Sequence, residues 1–219
     1  MDQIPDLIEA RRFANNMRAF LPSCISVAAL GVKSKTPYKL LCAREAVFWR
    51  TEELARGACD RLENGDLASG ILLVRAVIEC TAFVWRLYEL LEGRQKHQPD
   101  ELDKKFEQLL LGWTKSPPFP ERINILTIIE QMNKVIPDAR KAYDFMSEFA
   151  HPNWSGVMGL FSSTDFEGYI TRFGRFPNSA VGIHGATSTI LLASLETFDH
   201  AYNSISDLMP KFISELDPL

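Results

Sequence analysis

Paired cysteines are missing from this chain. Its four, Cys24, Cys42, Cys59 and Cys80, fall 18, 17 and 21 residues apart, which is neither the C-x2-C pairing of a zinc site nor the density of a disulfide framework. They read as buried thiols in a reducing compartment. The 12 glycines are too scattered to build a phosphate-cradling loop. There is no G-x-S-x-G elbow and no H-E-x-x-H helix. Basic excess is also lacking, since 24 Lys and Arg stand against 28 Asp and Glu for a formal charge of −4. That balance does not support RNA as a partner, because non-specific nucleic-acid binding is driven by neutralised phosphates. Residues 1–6 have no positive n-region followed by an apolar h-region. The apolar run at 19–30 is too short to span a bilayer, and the one at 71–91 contains Arg75, Glu79, Arg86 and Glu89. A soluble, cytoplasmic protein with no membrane contact is expected.

What the chain has in quantity is apolar sequence with helical period. At 219 residues and 46% hydrophobic content, it can bury roughly 70% of its unfolded surface and needs no metal or disulfide. The pattern predicts an all-α antiparallel bundle in one domain, residues 1–219. A first helix is expected at 5–20 and a second at 37–62, with Pro37 in its first turn. Asn64-Gly65-Asp66 reverses the chain into a third helix at 66–92, so that the second and third form a long central hairpin. Further helices are expected at 99–113, 121–135 and 138–150. The run Pro117-Pro118-Phe119-Pro120 reads as a stiff connector. Leu160-Phe161-Ser162 and residues 169–173 can pair as a small β-hairpin, and a last helix runs from 178 to a stop at Pro210. Arg44, Arg50, Arg56 and Arg61, interleaved with Glu45, Glu52, Glu53, Asp60 and Glu63, read as a solvated, self-neutralising face.

Two polar groupings stand out from the apolar background. At about 100° per residue, Arg75, Glu79, Arg86 and Glu89 share one narrow stripe of the third helix. The stripe is either a solvent strip or an inward-facing cluster that meets polar groups of another helix. The second grouping closes the helix at 138–150, where Pro152 puts His151 at the boundary. Ser147 and Asp144 lie four and seven residues before it on the same face. Without an elbow or an oxyanion hole these three make a poor catalytic triad, and a histidine tying down the helix end, with Glu79 as a partner, is the structural alternative. The aromatic-rich residues 154–176 are either a contact surface or a cap on the bundle.

A hairpin carrying Gly65-Asp66-Leu67-Ala68-Ser69-Gly70-Ile71-Leu72-Leu73-Val74-Arg75-Ala76-Val77-Ile78-Glu79, followed by Phe145-Met146-Ser147-Glu148-Phe149-Ala150-His151-Pro152, resembles bacterial helical families with an Arg-x-x-x-Glu helix and a Ser-Glu-x-x-His-Pro helix end. These are similar to HEPN domains, helical bundles of toxin–antitoxin and phage-defence systems. Many HEPN proteins are metal-independent endoribonucleases that use an Arg-x4-6-His motif, usually across a dimer. Here His151 matches the histidine, while Met146, Phe145 and Asp144 occupy the positions required to hold the arginine, and Arg140 lies too far back. The resemblance therefore implies a non-catalytic interaction or regulatory module, with a ribonuclease acting through His151 as the alternative. It implies a protein partner or a homo-oligomer, no cofactor and no metal, and a ligand- or partner-binding set of Arg75, Glu79, Ser147, Glu148 and His151.

Overall fold

The computed structural model describes residues 4–31, 33–114, 117–175 and 177–216. It is an all-α structure with one small β-hairpin. In order along the chain come α1 (Pro5–Ala19), α2 (Val27–Leu30), α3 (Thr36–Glu63), α4 (Leu67–Glu92), a 3-10 turn (Arg94–Lys96), α5 (Pro99–Leu111), α6 (Ile125–Asn133), α7 (Ala139–Ala150) and α8 (Met158–Phe161). The strands β1 (Ser162–Asp165) and β2 (Ile170–Phe173) and the long α9 (Pro177–Leu216) complete the order. By its internal contacts the chain divides into two compact units. One comprises Met1–Ala19, Glu52–Ile78 and Pro137–Leu195, the other Phe20–Thr51, Glu79–Ile136 and Glu196–Leu219.

In the first unit the α3–α4 reversal is fully explained by its residues. Gly65 takes φ +72°, its N–H donates to Leu62 O at 3.0 Å, and Asp66 N–H reaches back to Arg61 O at 2.8 Å. This is a Schellman ending, which needs a residue free to enter the left-handed region. Gly70 then lets the two helices close up. A Cβ there would lie 2.6 Å from Leu62 Cδ2, and Leu62 is wholly buried. Arg11 of α1 is anchored to the end of α3 by Asp60 at 2.6 Å and Glu63 at 2.9 Å.

His184 of α9 is buried in the same unit, with its ring donating to the Leu62 carbonyl. Among the described residues its Nε2 has no hydrogen-bond partner. Burial lowers the imidazole pKa, and the bond to Leu62 offsets this only in part. A depressed pKa means that the unfolded chain binds the proton first as pH falls. The stabilisation is therefore full above about 6.5 and is lost progressively as pH drops towards the folded value. Urea unfolding between pH 8 and 5 is expected to show this loss, and His184→Gln, which keeps a donor for Leu62, should flatten it. An unchanged acid limb in the variant would refute the assignment.

The second unit shows where tertiary packing overrides local rules. Pro210 does not stop α9, which continues to Leu216. A proline inside a helix costs about 3 kcal/mol, and here buried Met209 and Phe212, with a bidentate Arg94–Glu215 pair at 2.7 and 2.8 Å beyond it, offset that cost. The face of α3 expected to be solvated is also partly internal. Glu45 is buried, pairs with Arg44 and accepts from Tyr202 Oη at 2.6 Å, while the Arg44 guanidinium lies 4.4 Å from the Tyr202 ring centre. Burial and the adjacent Glu45 push the Tyr202 hydroxyl pKa upward.

Smaller differences have local causes. Helix α6 begins at Ile125 because Glu121 forms a bridge with Trp113 and the Asn124 side chain caps Leu126 N–H at 3.0 Å. Gly112 permits that bridge, since a Cβ would sit 2.8 Å from Arg122 Cα. The first strand starts at Ser162 and not at Leu160, because residues 158–161 form a helical turn around buried Leu160. Of the four cysteines, Cys59 and Cys80 are buried but Cys24 is exposed, and all four are free thiols. Burial lifts the Cys59 thiol to about 11. Helix α4 is long and apolar enough to cross a membrane, and half of its apolar window is buried within the fold.

Candidate functional site

The polar stripe of α4 is half-buried along its length. In the first unit Arg75 Nη2 donates to Tyr143 Oη of α7 at 2.6 Å, and the guanidinium carbon lies 4.9 Å from the Tyr143 ring centre. Tyr143 is itself buried. Arg75 thus has a second-helix partner, as the inward-facing reading of the stripe requires. In the second unit Arg86 pairs with Glu89 at 3.3 Å, and Glu79 is half-buried.

One turn beyond Tyr143 on α7, the Ser147 hydroxyl is buried without a hydrogen-bond partner among the described residues. Met146, where a HEPN ribonuclease would carry a cation, is a fully buried core side chain. Asp144 is taken up by Arg140 Nε, 2.9 Å from each carboxylate oxygen. Asp144, Ser147 and His151 therefore do not converge as a triad, because the acid is already occupied one turn back.

His151 does not tie down the helix end. It is the C-cap of α7 in extended conformation with an exposed side chain. The tie is made by Glu148, whose Oε1 accepts from Asn153 Nδ2 at 2.8 Å and from Ser155 Oγ at 3.0 Å. Asn153 Oδ1 in turn accepts Gly156 N–H at 2.9 Å. Gly156 is required by this turn, since a Cβ would stand 2.1 Å from His151 O and 2.7 Å from Phe149 O. The Ser-Glu-x-x-His-Pro segment accordingly does two separate things. It folds the turn after α7 through Glu148, and it leaves the imidazole facing solvent. Asn153, Ser155 and Gly156 are the members of this cluster that sequence reasoning passed over. An Asn-x-Ser-Gly run directly after a helix-ending proline is the signal that marks such a turn.

Beyond the turn the chain becomes an aromatic surface. Trp154, Phe166, Tyr169 and Phe173 are 74%, 83%, 93% and 73% exposed, so these rings form an outer surface and not a cap over the core. Among the described residues no group of three or more His, Cys, Asp or Glu is arranged to hold a metal. Fold and site together define an all-α protein with a half-buried arginine–tyrosine contact, a glutamate-tied helix end and an exposed aromatic arm. No family model, curated protein or solved structure matches the chain.

Proposed function

We propose that the chain is a non-catalytic, HEPN-like interaction or regulatory module, acting in the cytoplasm of a bacterium within a toxin–antitoxin or phage-defence system. The observation that carries this reading is the setting of His151. The histidine is exposed, but its helix presents Met146 to the core, Asp144 to Arg140 and Glu148 to the following turn. A ribonuclease needs cations poised where negative charge develops on the phosphorane-like transition state. The Arg75 guanidinium, the cation that the resemblance singles out, is engaged with Tyr143. What the same region offers instead is a run of exposed aromatic rings, the side chains most enriched where proteins meet proteins.

The test compares wild type with His151→Ala, each checked for folding and incubated with structured and single-stranded RNA in the presence of chelator. No cleavage by either is expected. Cleavage by wild type that disappears in a folded His151→Ala protein would replace this reading with the ribonuclease.

A further inference from the structure

The apolar run at 19–30 is too short to span a bilayer, and from Phe20 onward it belongs to the second unit. It is not folded away. Phe20 is 77% exposed, Cys24, Ala28 and Ala29 are exposed, and Leu21, Ile25 and Leu30 are half-buried. A contiguous apolar stretch left open in this way marks a contact surface. Its path is fixed against α3, because Trp49 Nε1 donates to Pro22 O at 2.7 Å while the Trp49 ring stays 50% exposed. The short α2 is closed at both ends, by Ser26 Oγ accepting Ala29 N–H at 3.3 Å and by Gly31, at φ +65°, donating to Ala28 O at 3.3 Å. Phe20 lies two residues from the carbonyl that Trp49 holds, so the two open rings belong to one anchored arm and not to a loose tail.

The charge of this stretch differs from that of the chain. Residues 20–44 hold Lys33, Lys35, Lys39 and Arg44 and no Asp or Glu, in a protein with a formal charge of −4. Lys39 is taken by Asp103 and Glu107, and Arg44 by Glu45. The exposed Lys33 and Lys35, directly after α2, are left for an outside anion. Apolar side chains, a tryptophan ring and flanking lysines are the combination that lies in a bilayer interface, with the rings below the phosphates and the ammonium groups at them. A protein partner is selected by shaped pockets and a polar rim, whereas this arm offers small side chains around one projecting ring and charge of one sign. Two lysines neutralise too few phosphates to hold RNA.

We infer that the arm at 20–30, together with Trp49, is a peripheral membrane-binding surface. It seats Phe20 in the headgroup layer of an anionic bilayer and sets Lys33 and Lys35 on the lipid phosphates. The expectation of no membrane contact concerns spanning segments, and a surface attachment needs none. With so small an apolar area the attachment is reversible and requires the rings and the lysines together. The inference goes beyond the interaction-module reading and is tested apart from it, since His151 takes no part.

Flotation of the full chain with vesicles of mixed phosphatidylcholine and phosphatidylglycerol is expected to carry protein to the lipid layer. Phosphatidylcholine alone should bind at least about tenfold more weakly, and added salt should weaken binding to the anionic vesicles. Phe20→Ser should lower the affinity about tenfold, and Lys33→Glu with Lys35→Glu at least about tenfold. All three positions are exposed, so the unfolding midpoints should stay at the wild-type value. An environment-sensitive dye on Cys24, the one exposed thiol, should shift to shorter wavelength with the anionic vesicles. Wild-type protein that stays out of the floated anionic vesicles would overturn the inference and leave the RNA test of the broader reading untouched. Binding that survives both sets of changes, or a Cys24 dye that remains in water while the protein floats, would overturn it as well, because the contact would then lie elsewhere.

Discussion

Glu215→Ala is expected to lower the unfolding free energy by about 3 kcal/mol. The Arg94 side chain is only 7% exposed, and its charge is met by both oxygens of Glu215, with Nη1 on Leu91 O at 3.0 Å. Removing the carboxylate strands a buried guanidinium on one carbonyl. Such losses run to about 3–5 kcal/mol, and the lower end applies because Glu215 itself is 30% exposed and partly screened. The location adds to the effect. Pro210 itself cannot donate the regular helix bond to the carbonyl four residues back, so buried Phe212 and this ion pair help hold the last turn and a half in place. Denaturant unfolding gives the free energy, and hydrogen exchange over residues 211–216 should report local fraying. A loss under about 0.5 kcal/mol would mean that the pair is effectively solvated. The same contact predicts an acid effect with the opposite chemistry to His184. Arg94 holds the Glu215 carboxyl below its ordinary value, so its contribution is complete above about 4.5 and is lost as pH falls further.

Gly156→Ala should cost a comparable amount, about 3 kcal/mol, at the site. Most overpacking is relieved by a flexible side chain giving way. Here the added carbon meets backbone, 2.1 Å from His151 O and 2.7 Å from Phe149 O, so the turn itself has to open. Opening it breaks the Asn153 Oδ1 bond to Gly156 N–H and detaches Asn153 and Ser155 from Glu148. The variant is therefore expected to lose stability and to expose amides at 153–157 to exchange. Glu148→Gln, which retains an acceptor, should lose much less. Equal stability of wild type and Gly156→Ala would show that the turn relaxes freely and that Glu148 has no organising part.

The parts of the fold that could be read in the sequence were those set by local stereochemistry. Asn64-Gly65-Asp66 announces a reversal because few residues accept a left-handed φ, and the period of Ile71, Val74, Val77 and Ile78 announces a buried helix. Pro210 misled, since a local rule is outweighed by the burial of Met209 and Phe212 and by Glu215, whose partner Arg94 lies 121 positions away. Glu45 misled for the same reason. A charged face reads as solvated until Tyr202, far along the chain, supplies the hydrogen bond that makes burial tolerable. At the site, Arg75 stood out as a charge in an apolar helix, but its partner Tyr143 is 68 residues on and carries no local mark. His151 stood out beside a proline, and the neighbouring glutamate proved to be the residue that organises the turn.

The division of the chain has a consequence for synthesis on the ribosome. Each compact unit is assembled from three separated segments, the first closing only when residues up to Leu195 are present and the second only when α9 is finished. At roughly 5–20 residues per second, Arg11 emerges many seconds before the last segment of its unit. During that interval α4, a helix long and apolar enough to cross a membrane, is already made while much of its cover is not. Nascent chains should therefore stay protease-sensitive and dependent on chaperones until α9 has cleared the exit tunnel, and truncations ending shortly after α7 should be recovered as aggregates, not as a smaller folded domain.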